Sequence, residues 1–144
     1  MFGKTSEITK KPGITHLVGG MLDNNDINNN KDVNIYNTAT RELKEELGIS
    51  VNDVKIIKNV KGTYLITEDD TKSVGIVYKI NLKINKKEMN ELYNKFVKKL
   101  NKENKEIEFS NLEYIRKNIA EIEKYTNKNL HDEFIKELLK KDMM

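Results

Sequence analysis

Apolar positions along this 144-residue chain follow two rhythms, one with a period near two and one near 3.6. β-Branched and apolar residues crowd three stretches, Val54 to Val60, Thr63 to Thr67 and Ser73 to Ile84. They predict three strands, two of them paired as a hairpin through a Glu68-Asp69-Asp70 turn. An earlier β-prone run, Ile14 to Val18, follows a Pro12-Gly13 turn and leads directly into Gly19-Gly20. In the helical rhythm, Tyr36, Leu43 and Leu47 share a stripe of a helix expected from Val33 to Leu47, with Asp32 as N-cap and Gly48 as the left-handed residue that ends it. Met89, Leu92, Phe96 and Leu100 repeat through a second helix, started by Asn85 and Glu88 at capping-box spacing and ending near Asn101. Lys105 to Phe109 reads as a strand, and Ser110 with Glu113 as a further helix start whose buried stripe is Leu112, Ile115, Ile119 and Ile122. A last helix is expected from Asn129, its Leu130, Phe134, Ile135, Leu138 and Leu139 suiting a core better than a partner surface. Neither a repeat nor a linker interrupts this order. A single domain over residues 1–144 is expected, of α+β class, with a mixed β-sheet covered by helices on both faces.

The chemistry concentrates in the first helix, over Ala39-Thr40-Arg41-Glu42-Leu43-Lys44-Glu45-Glu46-Leu47-Gly48-Ile49. At about 100° per residue, Glu42, Glu45 and Glu46 fall within roughly a third of the helix circumference, beside the apolar stripe. Clustered carboxylates repel one another unless cations neutralise them. Their hard oxygens suit Mg²⁺ or Mn²⁺, and the expected partner of such ions is phosphate. A plainer reading stands beside this one: Glu-rich helices with a lysine such as Lys44 among the acids are common solvated surfaces, and Arg41 with Glu45 makes an ordinary i, i+4 pair worth roughly 0.2–0.5 kcal/mol.

The glycine pair upstream and Gly48-Ile49 downstream shift the balance. Together with Arg41, Glu42, Glu45 and Glu46 they resemble the signature of the Nudix hydrolase family, a loop-helix-loop unit with a glycine pair, an acidic loop and an Arg-Glu-(apolar)-x-Glu-Glu-x-Gly-(apolar) helix. The resemblance implies a Nudix-like α/β/α sandwich and a Mg²⁺-dependent pyrophosphohydrolase that cleaves a nucleoside diphosphate linked to another group. It assigns Glu42, Glu45 and Glu46 as metal ligands, the Gly20 backbone as a contributor to the metal site, Gly19 and Gly20 as the close approach to phosphate, and Arg41 as the residue that orients a carboxylate. The sequence departs from the pattern in two places. Where the family has a glutamate, Asp26 stands, and fourteen residues rather than seven separate it from Arg41, so the loop Ile27 to Asp32 carries an insertion that loop entropy tolerates. Asp23 and Asp26 are shorter than the glutamates they would replace, and Asp26 is at best an indirect neighbour of a metal. Only 18 residues precede the glycine pair. Either one or more N-terminal strands of the usual sheet are missing, or the first residues form a reduced edge that a second copy, in a homodimer, or the middle helix covers.

Composition narrows the classes. With no cysteine there is neither a disulfide framework nor a thiolate metal site, and no apolar run spans a bilayer or makes a signal-peptide core, so a cytoplasmic location is the default. Charge is abundant but balanced, 26 basic against 23 acidic residues, and nucleic-acid binding does not follow from it. Lysine abundance is the sole hint of an RNA 5′-cap or 5′-diphosphate substrate. His16 and His131 lack a second ligand at zinc spacing. Glu106 and Glu108 are candidate general bases that strand-edge solvation explains equally well, and Tyr36 or Tyr64 could stack on a nucleobase, although packing suits each better. The contrasting function class is a nucleotide-binding or regulatory module that keeps the fold with little hydrolysis.

Overall fold

The computed structural model describes residues 2–5, 15–16, 18–20, 34–68, 73–116, 118, 120–121 and 139–141. Its elements run β1 (Phe2–Thr5), β2 (Thr15–His16), α1 (Ile35–Leu47), β3 (Ile57–Glu68), β4 (Ser73–Leu82), α2 (Lys86–Lys102) and β5 (Phe109–Glu113). The class is α+β. Every described strand pair is antiparallel, where the sequence suggested a mixed sheet. No helix among the described residues is long and apolar enough to cross a membrane. Contacts divide the chain into two compact units, residues 19–99 and residues 1–18 with 100–144.

In the unit formed by the chain's two ends, β1 lies between β2 and β5. Gly3 faces His16 on one side and Leu112 on the other. The segment Phe2–Thr5 escapes pattern reading because it is short and has a glycine inside, and its ladder bonds come from two neighbours rather than from local propensity. The expected reduced edge is therefore corrected: β1 is the central strand. The helix expected from Ser110 is also corrected, since Phe109–Glu113 is strand β5. The reason lies in the register. Lys4 pairs with Asn111 but Thr5 with Phe109, so Ser110 is an extra, bulged residue. One inserted residue turns the strand's two-residue alternation into burial of Phe109 and Leu112, three apart, which imitates a helical stripe. Helical backbone instead appears at Ala120–Glu121, where the Asn118 side chain accepts from the Ala120 N–H at 2.9 Å. Of the last expected helix, residues 139–141 are helical and the remainder, with His131, lies outside the described residues.

In the other unit, α1 begins at Ile35, two residues later than expected. Its N-cap is Asn34, whose side chain accepts from the Asn37 N–H at 3.4 Å; Asp32 lies outside the described residues. Gly48 ends the helix as expected, at φ +70°, its N–H directed to the Leu43 and Lys44 carbonyls. The two strands expected before the hairpin turn are one, β3, paired along its length with β4. Register shifts leave Lys58 and Thr63 as extra residues, so the discontinuity at Lys61-Gly62 is absorbed by a bulge rather than a loop. Asn85 and Glu88 form the capping box: the Asn85 side chain accepts from the Lys87 and Glu88 N–H groups at 2.9 and 3.1 Å, and Glu88 accepts from the Asn85 N–H at 2.8 Å. Leu43, Leu47, Ile49, Ile57, Met89 and Tyr93 are buried here. Tyr36, assigned to the same stripe as Leu43 and Leu47, stays 39% exposed with its ring edge-on to Tyr78 at 5.5 Å.

Candidate functional site

One helical turn separates Glu42 from Glu46 on α1, and both carboxylates meet the glycine pair. Gly19 donates its N–H to Glu46 Oε2 at 3.2 Å. Gly20 lies so close to the Glu42 carboxylate that a Cβ added there would collide with it, which explains a residue without a side chain at this position better than any turn preference does. Glu46 is only 5% exposed and Glu42's side chain 12%. Burying a carboxylate is costly unless donors or a cation compensate. Here at least one donor is the backbone of a glycine 27 residues away in sequence, which is why the contact cannot be read from the helix alone.

Arg41 sits between two of the acids. Its Nη1 lies 2.8 Å from Glu42 Oε1 and 3.2 Å from Glu45 Oε2. The Glu42 carboxylate is thereby held by the guanidinium and also closely approached by Gly20. Glu45, by contrast, is 60% exposed and points its charge to Arg41 and solvent. The three acids that helical geometry placed on one face are thus divided: Glu42 and Glu46 gather at the glycines, and Glu45 does not. Among the described residues no group of three His, Cys, Asp or Glu side chains converges to hold a metal ion.

Thr38, one turn before Glu42, was not singled out from sequence. It is buried, and its hydroxyl has no hydrogen-bond partner among the described residues. A hydroxyl in an otherwise polar helix face carries no signal of its own; only its four-residue spacing from Glu42 could have drawn attention. Glu42 and Glu46 both offer carboxylate oxygens, the hard donor type that suits a divalent cation such as Mg²⁺ or Mn²⁺.

The remaining candidates are dispersed. Asp23, Asp26 and the loop Ile27 to Asp32 lie outside the described residues, as do Asp69 and Asp70. Glu68 is the last residue of β3, opposite Ser73. His16 stands opposite Gly3 in β2, and Tyr64 opposite Val77 in the β3–β4 ladder. Glu106 and Glu108 are exposed just before β5, in the unit that does not hold α1. No family model, curated protein or solved structure matches this chain.

Proposed function

We propose that the protein is a Mg²⁺- or Mn²⁺-dependent Nudix-type pyrophosphohydrolase acting on a nucleoside diphosphate linked to another moiety, with the family's α/β/α sandwich as its architecture. The observation that carries the reading is the packing of Gly19 and Gly20 onto the Glu46 and Glu42 carboxylates. In a merely solvated acidic helix, glutamates point to water; a glycine pair from a distant part of the chain has no reason to cover two of them. In this reading Glu42 and Glu46 hold the cation, with Glu45 completing the set when it leaves Arg41. Held by these carboxylates, an ion would neutralise charge on the pyrophosphate and lower the pKa of an attacking water. The chain's own contribution is to fix and desolvate the carboxylates. Arg41 orients Glu42, and Gly19, with open space where a Cβ would stand, leaves room in which a phosphate oxygen can approach the backbone.

A second reading, a nucleotide-binding module with little hydrolytic activity, is favoured by one observation: the third carboxylate, Glu45, stands apart with Arg41. A single experiment separates the two. Product release is followed by chromatography from nucleotide sugars, dinucleoside polyphosphates, nucleoside triphosphates and capped RNA with Mg²⁺, for the wild type and Glu46→Gln. Cleavage of one compound class by the wild type and its loss in the variant supports the hydrolase. A folded wild type that binds Mg²⁺ and nucleotide by calorimetry but cleaves nothing supports the binding module, and absence of both overturns the two readings together.

A further inference from the structure

Tyr36 belongs by spacing to the apolar stripe of α1, yet it does not share that stripe's burial. Leu43 and Leu47 are 4% and 1% exposed, whereas Tyr36 is 39% exposed, the one exposed aromatic ring among the described residues. Its neighbour in space is Tyr78 of β4, with ring centroids 5.5 Å apart and planes at 66° to each other. Tyr78 in turn lies against Gly62, its cross-strand partner, where an added Cβ would stand 3.6 Å from the ring. Gly62 is exposed and Tyr78 half-buried. Two rings set at a wide angle, beside a residue with no side chain, make an open corner. Packing accounts for half of it, since an aromatic ring opposite a strand glycine covers otherwise bare backbone. It does not require a second ring turned edge-on and left in water.

We propose that the corner between Tyr36 and Tyr78 binds a nucleobase. A flat ring entering it stacks on one tyrosine and meets the other edge to face, the two arrangements that aromatic rings prefer. The chain has no tryptophan, so stacking on a base falls to its smaller rings, and Tyr93 and Phe109 are buried. Tyr36 precedes Glu42 by six residues, about 9 Å along the axis of α1 and on the neighbouring stripe, a span that ribose and phosphates cover. Stacking uses the π-face that every base has, so the corner selects for the presence of a base more than for its identity. The assignment takes its ligand from the nucleotide reading of α1 and does not depend on hydrolysis.

The test is binding of ethenoadenosine diphosphate, whose base emission reports stacking, to the full chain with Mg²⁺. Calorimetry with inorganic pyrophosphate measures the phosphate part alone. Tyr36→Leu, Tyr36→Phe and Glu46→Gln are compared with Val54→Ser, which removes the other exposed large apolar side chain. Tyr36→Leu is expected to bind the nucleotide about tenfold more weakly, with the emission change on binding lost, and pyrophosphate as well as the wild type does. Tyr36→Phe and Val54→Ser should bind both ligands like the wild type, and Glu46→Gln should lose affinity for pyrophosphate. Gly62→Val fills space beside Tyr78 without removing a ring, and it should weaken nucleotide binding even where Tyr36→Leu melts early. Unchanged nucleotide affinity in Tyr36→Leu and Gly62→Val, or equal weakening by Val54→Ser, overturns the base site and leaves the nucleotide reading standing on Glu46. Failure of the wild type to bind either ligand overturns both.

Discussion

The two long helices have much in common and use their charges in opposite ways. Both begin at an asparagine cap, both are amphipathic, and both carry glutamates beside basic residues. In α2 the buried residues are Met89 and Tyr93, while Glu88, Glu91, Lys95 and Lys98 face solvent. In α1 a glutamate is among the buried residues, level with Leu43 and Leu47. The difference teaches that an acidic helix is to be judged by what covers its acids. In α2, Glu88 serves its own helix by accepting the Asn85 N–H; the acids of α1 are met by an arginine and by a glycine pair from a distant part of the chain.

If that contrast is functional, its largest consequence is catalytic. Glu46→Gln keeps a carbonyl that can accept from the Gly19 N–H, so the fold should persist, yet product release should fall by about 100-fold or more because the charge is lost where a cation is needed. Glu91→Gln, the same change on the exposed face of α2, should leave turnover within about twofold. Steady-state rates with matched melting curves would decide this, and equal losses in both variants would erase the distinction between the helices.

Next in size is the helix end. Gly48 has φ +70°, and a Cβ there would lie 2.5 Å from Phe96 Cδ2 on α2. Strain in the left-handed region and overpacking against a ring add, so Gly48→Ala should cost about 2–4 kcal/mol and lower the melting temperature by roughly 5–15 °C. Because α2 supplies the ring, the charge-indifferent helix is the one that fixes where α1 stops. A variant pair, Gly48→Ala with Phe96→Leu, should recover part of the loss if the ring is the cause and none if the dihedral alone is.

The caps differ more modestly. Asn85 accepts from two N–H groups and is reciprocated by Glu88, whereas Asn34 accepts from one at 3.4 Å. Asn85→Ala should therefore cost about 1 kcal/mol and Asn34→Ala about half that, measured by chemical denaturation. Equal costs would mean that hydrogen-bond geometry does not set cap strength here.

What could be read in advance follows the same division between local and distant causes. The α2 capping box, the Gly48 stop, the hairpin and the common face of Glu42, Glu45 and Glu46 all depend on residues within four or five positions of one another. Sequence spacing suffices for these. β1 could not be seen, because Phe2–Thr5 is held by β2 and by β5, over a hundred residues later. The bulges defeated pattern reading in two ways: Ser110 made a strand look helical, and Thr63 made one strand look like two. At the site, helical geometry brought the three acids to one side, but only the contacts of Gly19, Gly20 and Arg41 separate Glu45 from its neighbours.

The smallest effect concerns the lysines that share these helices. Lys44 occupies the last turn of α1, where a cation complements the helix dipole, and it neighbours Glu45 in sequence. Lys98 lies on an exposed surface of α2 whose C-terminal half already contains Lys95, Lys99 and Lys102, so its removal relieves as much repulsion as it loses attraction. Lys44→Gln should thus destabilise by about 0.3–0.5 kcal/mol at low ionic strength, and Lys98→Gln by about zero. Raising salt should shrink the Lys44 effect, because the interaction is solvent-exposed and screened within roughly one Debye length. If the Lys44 penalty instead persists at high salt, its role is not electrostatic, and the idea that α1 differs from α2 through the local balance of its charges would have to be replaced by one based on side-chain packing alone.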